Sequence, residues 1–281
     1  MEMPQPRALG RETIISSQTT AKDYWLDLWQ HRGLLSFLVW RDLVVKYKQT
    51  AIGIVWVFLK ALLNIFILTM IFGRVFKLDS GGVPYSLVVL TGMLIWQLFS
   101  NVMSDTSNCL SANAGLLAKV YFPRLIFPIS ILILCLVDFL ISFLLVVILL
   151  IWNNVMPTWH AIFFPFFVLM AAFTALSVGI IVASLSVRYR DVKQLIPFVL
   201  QIGMYVSPVA YLTSIVPSNL AFVYALNPLV GIIDGFRWTL LGGGVNPYWP
   251  GILYSALSCV TLFVLSIMIF RSAEKGFVDT L

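Results

Sequence analysis

The chain predicts an all-α polytopic membrane protein, with six transmembrane helices, an N-terminal interfacial helix and short re-entrant helices near one membrane face. Three observations carry that expectation. Of the 281 residues, 60% are hydrophobic and 11% charged, and mean hydropathy is +0.96. Soluble domains carry about 25% charged residues, so no soluble core could hide this much apolar sequence. The second observation is the run Leu125–Ile151, 27 residues with no Arg or Lys and one acidic residue, Asp138, near its middle. As a helix it extends about 40 Å, more than the roughly 30 Å hydrocarbon core, and tilt absorbs the excess. The third is that charges collect between apolar segments.

Residues 1–24 are polar, with Pro4, Pro6 and a Ser/Thr cluster at Ser16–Thr20, and read as a mobile tail. They hold no apolar core with a small-residue cleavage site, so no cleaved signal is expected. From Asp27 to Lys48, Trp29, Phe37 and Trp40 alternate with Arg32, Arg41, Asp42, Lys46 and Lys48. Charge interrupts too often for a spanning helix; an interfacial helix with Trp and Arg at headgroup level fits better than juxtamembrane filler. Residues 25–275 form one transmembrane domain and 276–281 a C-terminal tail.

The first span, about 51–73, holds Lys60 with Trp56 four residues before it and Asn64 four after, on one helical face. The second, about 85–104, ends with Gln97 and Asn101, again four apart. The third is about 125–151, where Cys135, Asp138 and Ser142 form a narrow polar stripe that should face protein or water. The fourth, about 161–184, is rich in small residues, and Gly179 with Ala183 has the spacing of close helix packing. The fifth, about 195–216, carries Gln201 and Tyr205, with Pro208 expected to bend or interrupt it. Pro217–Pro250 contains apolar pieces too short to span, broken by Asn227-Pro228 and Gly242–Gly244. Such pieces suggest a re-entrant hairpin or two interfacial helices, and Asp234 and Arg237, three apart, could pair on one helical face. The sixth span is about 252–270.

An even number of spans puts both termini on one side. Fourteen Arg and Lys fall on that side and three on the other, with Lys60 counted with neither. The positive-inside rule makes both termini cytoplasmic, so the re-entrant region lies at the outer face. The net charge of +6 is spent on this asymmetry, which argues against nucleic acid as a partner.

No enzyme constellation emerges. There is no HExxH, no CxxC and no GxxxxGK[ST] phosphate loop, and His31 and His160 lie near opposite membrane faces. If transport is driven by ATP, another chain must bind the ATP. Cys109, Cys135 and Cys259 lack motif spacing. Lys60 and Asp138 are the charges nearest mid-membrane, and they read either as structural pairing or as the wall of a polar path. Trp25, Trp29, Trp40, Trp152, Trp159 and Trp249 fall near expected interfaces, as an aromatic belt would.

Six blocks in this order carry a family resemblance: RDLVVKYKQTAIG from Arg41, LAKVYFPR from Leu117, VRYRDVK from Val187, SPVAY from Ser207, NPLVG from Asn227 and FRW from Phe236. The chain resembles, from about Trp29 to Lys275, the permease subunit of ABC-2-type polysaccharide exporters, nearest the O-antigen and lipopolysaccharide export permeases. The resemblance implies a homodimer in the bacterial inner membrane, with two copies of a separate nucleotide-binding subunit on the cytoplasmic side. ATP and magnesium belong to that partner, and this chain itself carries no cofactor or metal. Leu28–Val45 corresponds to an interface helix, Ser104–Pro123 to a coupling helix, and Pro217–Pro250 to periplasmic re-entrant helices that include Asn227, Asp234, Arg237 and Trp238. Arg41, Asp105, Leu117, Lys119 and Tyr121 then face the ATPase. The implied substrate is a polyprenyl-diphosphate-linked polysaccharide. Arg41, Lys46, Lys48 and Arg188 are candidate diphosphate contacts, while Trp56, Lys60, Asp138, Gln201 and Tyr205 are candidates for the path. Export of capsule, teichoic acid, lipid or drug by a related permease, and secondary transport, are the alternatives.

Overall fold

The computed structural model describes residues 21–48, 55–76, 80–113, 115, 122–189, 191–217, 219–242 and 247–274. Every regular element among them is helical. Helices α1 (Ala21–Gln30) and α2 (Arg32–Lys48) meet at a turn on His31. Helix α3 (Val55–Leu68) passes without a break into a π-helical segment, Thr69–Val75. Helices α4 (Tyr85–Ala112), α5 (Ile126–Trp152) and α6 (Phe164–Arg188) follow. Then come α7 (Val192–Val206), the short α8 (Ala221–Ala225), α9 (Pro228–Leu241) and α10 (Trp249–Glu274).

Helix α4 is the centre. Its residues from Leu87 to Trp96 are buried without interruption, as expected of a helix that is apolar on every side and surrounded by others. It packs on α6 and α5; α10 covers the far side of α6 and holds α9 against it. The small-residue pattern of α6 explains the closest contact. A β-carbon at Gly179 would strike Thr106 of α4, and Ala171, Ala172, Ala175 and Ala183 are all buried. Outward faces are as apolar as the core. Leu140, Leu144 and Ile148 on α5 and Leu253, Leu257 and Val260 on α10 stand exposed, an apolar surface suited to hydrocarbon or to another apolar protein face rather than to water.

Four helical stretches are long and apolar enough to cross a membrane: Tyr85–Ala112, Ile126–Trp152, Trp159–Val187 and Trp249–Glu274. They correspond to the second, third, fourth and sixth expected spans, lengthened at one or both ends. The fifth is corrected. Helix α7 stops at Val206, 15 residues long, about 22 Å, because Pro208 follows. The apolar residues beyond it are buried in an irregular turn, with Val209 and Leu212 in the core. In the first expected span the described helix begins at Val55 and its π-helical end runs to Val75. The expected mobile tail is shortened at its end, since Ala21 already opens α1; residues 1–20 and 275–281 lie outside the described residues.

Among the described residues of 217–250 are α8, α9 and the start of α10. Asn227 caps α9, its side chain accepting from the Leu229 amide at 3.1 Å, with Pro228 at the first helical position. Helix α9 is buried against α6, α10 and α4, and it ends at Gly242, where φ is +64°. At 14 residues, about 21 Å, it is too short to cross a membrane alone.

Candidate functional site

A cavity of about 340 Å³ opens between α2, α4 and α5. From α4 it receives Gln97, Asn101 and Asp105, four residues apart and therefore on one face. From α5 it receives Cys135, Asp138 and Ser142, the stripe expected to face protein or water. Lys46 from α2 closes it, and Leu94, Leu98 and Phe139 complete the wall. Two polar stripes on otherwise apolar helices thus share one space.

Asp138 lies near the middle of α5, about 18 Å along the helix from its first residue, and is buried. Two consecutive residues of α2 engage its two oxygens. Lys46 Nζ is 2.5 Å from Oδ2, and the Tyr47 hydroxyl donates to Oδ1. The last turn of α2 is therefore held against the middle of α5. Burial first, then the hydrogen bond to Asp138 and its charge, pushes the Tyr47 phenol above its usual range, so it stays a donor. Asp105, expected at the ATPase-facing end, lines the same cavity, with the Cys135 thiol 4.0 Å from its carboxylate. All three cysteines are free and buried.

The other expected site residues divide. Arg41 is exposed and forms an ion pair with its neighbour Asp42 at 2.8 Å, and Lys48 is exposed on the same helix. Gln201 and Tyr205 are exposed on α7, away from the cavity lining. Ser104–Ala112 of the expected coupling helix forms the last part of α4, while Leu117, Lys119 and Tyr121 lie outside the described residues, as do the side chains of Trp56, Lys60 and Arg188. At the basic end of the bundle Arg124 Nη1 donates to the Glu274 carbonyl at 2.8 Å, and Lys193 donates to Ser111 Oγ. These bonds join the starts of α5 and α7 to the ends of α10 and α4.

The second polar cluster is at the opposite end, and it corrects an expectation. Asp234 and Arg237 form no ion pair with each other among the described residues. Arg237 is fully buried and points at the segment that follows α7. Nη1 donates to the Tyr211 carbonyl at 2.8 Å, and Nη2 donates to the Val209 and Val88 carbonyls, each at 2.8 Å. Asp234 accepts from Thr213 at 2.7 Å. The reason is the broken helix. The turn Ser207–Tyr211 carries carbonyls with no helical partner, and in a buried place those groups compete successfully for a guanidinium. Asn227 donates to Ser207 Oγ at 2.9 Å, the Tyr211 and Tyr224 hydroxyls are 2.9 Å apart, and the Tyr85 hydroxyl donates to the Ala210 carbonyl. Trp238 turns the other way, stacking near His160 and Trp249 with centroids 4.3 and 5.2 Å away.

Sequence reasoning missed Gln97, Asn101 and Asp105 as cavity residues and left Ser142 without a partner. The signal was present for two of them, since Gln97 and Asn101 share a helical face.

Residues 33–241 match the family described as ABC-2 type transporter. An O-antigen export system permease protein RfbA of Myxococcus xanthus is 29% identical over 257 residues, covering 91% of this chain and 98% of that protein. Two proteins of the same name from Klebsiella pneumoniae are 25% and 26% identical, each covering 88% of this chain and 95% of its own length.

Proposed function

Because the chain belongs to the ABC-2 type transporter family, we propose that it is the membrane permease subunit of an ATP-driven exporter of O-antigen or a similar polysaccharide, carried on a polyprenyl diphosphate. The observation that carries this reading is the similarity to O-antigen export permeases over about nine-tenths of both chains. The polar cavity supports it, because a chain of hydroxyl-bearing sugars cannot cross hydrocarbon bare and needs amide, hydroxyl and carboxylate groups to replace water.

In this reading the permease works as a homodimer in the bacterial inner membrane with both termini cytoplasmic. The chain crosses six times, α3 with its π-helical end making the first crossing and α7 together with the irregular segment after it making the fifth. Helices α8 and α9 are re-entrant from the periplasmic side. Two copies of a nucleotide-binding subunit bind ATP and magnesium, and this chain does no covalent chemistry. Its work is conformational: ATP binding in the partner favours one arrangement of the permease and hydrolysis another. Arg41 and Lys48, exposed on α2, meet the diphosphate, and the amides of Gln97 and Asn101 meet sugar hydroxyls.

The test is co-purification of the permease with a co-expressed ABC nucleotide-binding subunit from the same cell, together with surface polysaccharide in cells lacking the permease gene. A complex of equal numbers of the two chains and loss of surface polymer are expected. An intact polymer layer in the deleted cells would overturn the reading.

A further inference from the structure

The bond between α2 and Asp138 is asymmetric. The Asp138 side chain is 11% exposed, whereas the Lys46 side chain is 40% exposed, so the aspartate is largely enclosed and the lysine side chain partly open. The carboxylate is also doubly held. If Lys46 withdraws, Tyr47 still donates to the other oxygen, and Asp138 keeps a partner. Lys46 therefore belongs to two settings, paired inside or turned outward, and the change leaves no buried carboxylate without a hydrogen bond. It stands at the rim of the cavity that Gln97, Asn101 and Asp105 line, on the helix that carries Arg41 and Lys48. A lysine ammonium on a flexible stem is a point charge suited to phosphate, and a diphosphate carries more negative charge than the carboxylate it would displace.

We propose that Asp138 is a positioning residue for the cationic end of α2. It holds Lys46 at the cavity rim in the unloaded permease and releases it to the diphosphate of an arriving lipid-linked polymer. Release frees the last turn of α2 from α5, so loading of the carrier is felt as loosening of a helix contact. The proposal rests on the polysaccharide-export reading.

Charge exchange separates this role from a structural ion pair. In cells lacking the permease gene, a variant with Lys46→Asp and Asp138→Lys rebuilds the pair but moves the cation from α2 to the middle of α5, where the side chain it replaces is 11% exposed. Membrane content close to wild type with surface polymer reduced about tenfold or more is expected, because the pair is kept while the cation of α2 is lost. Asp138→Glu, which keeps charge and partners, retains export. Wild-type export from the exchange variant would overturn the proposal. If that variant fails to accumulate, a second pair decides. Lys46→Gln removes the ammonium while Tyr47 still donates to Asp138, and Lys46→Arg keeps a cation on α2. Normal membrane content with surface polymer reduced about tenfold for Lys46→Gln, and export retained for Lys46→Arg, are expected; wild-type export from Lys46→Gln would overturn the proposal. The wild-type arm keeps the two readings apart. A wild-type gene that fails to restore surface polymer overturns the export reading and the positioning role with it, whereas restored wild-type export with an unimpaired exchange variant overturns the positioning role alone.

Discussion

The two polar clusters solve one problem in opposite ways. Around Arg237 a cation is wholly enclosed, and its acceptors are backbone carbonyls of the broken segment after α7 and of α4. Around Asp138 an anion is enclosed, but its main partner is a side chain that also reaches the exterior. Backbone carbonyls cannot leave without refolding the chain, while a lysine leaves by rotating about its stem. The difference separates a fixed joint from a releasable one within the same bundle.

Four measurements break or sharpen that contrast. The largest effect is expected from Arg237→Met. It removes three charge-assisted hydrogen bonds and strands buried carbonyls, costing about 3–5 kcal/mol, and thermal denaturation of the purified protein reads it. Arg237→Lys should recover only part, since an ammonium cannot span the same fork. Should Arg237→Met destabilise less than Asp138→Asn, the fixed-joint assignment is wrong. Gly92→Ala comes next. A β-carbon there would fall on the Val209 carbonyl and the Arg237 guanidinium, an overpacking cost of about 1–3 kcal/mol on the same assay. Asp138→Asn is expected to cost only about 1 kcal/mol, because Lys46 can turn to water and Tyr47 keeps an acceptor, yet to lower surface polymer far more than its effect on membrane content. Asp138→Leu, which leaves neither partner an acceptor, should lower membrane content as well. The smallest effect is expected from Trp159→Ala. The residue is 72% exposed in the short 3-10 turn Trp159–Phe163 that precedes α6, so its loss should stay within about 0.5 kcal/mol and leave export unchanged.

What could be read from the residues follows from range. The α5 run announced itself because an uninterrupted apolar stretch has few other uses, and the Gly179–Ala183 spacing foretold the approach to α4. Hydropathy overran at α7 because it reports burial, and Val209 and Leu212 are buried without being helical. Asp138 advertised that it needed company, but its partners lie 92 and 91 residues away, and no local pattern names them. Local spacing actively misled at Asp234 and Arg237. Their three-residue separation suggested a pair, and orphan carbonyls made by a distant proline outbid it. Membership of the ABC-2 type transporter family was legible in short blocks whose order mattered more than any one of them.

The separation of Lys46 from Asp138 also sets a schedule. With 92 residues between them, and chains growing at about 5–20 residues per second, the lysine waits roughly 5–20 seconds before its aspartate is made. Through that interval Lys46 has no Asp138 to bind, and a lysine stem can lie along lipid with its charge in water. The contact between the last turn of α2 and the middle of α5 is therefore made late, only after α5 has been synthesised.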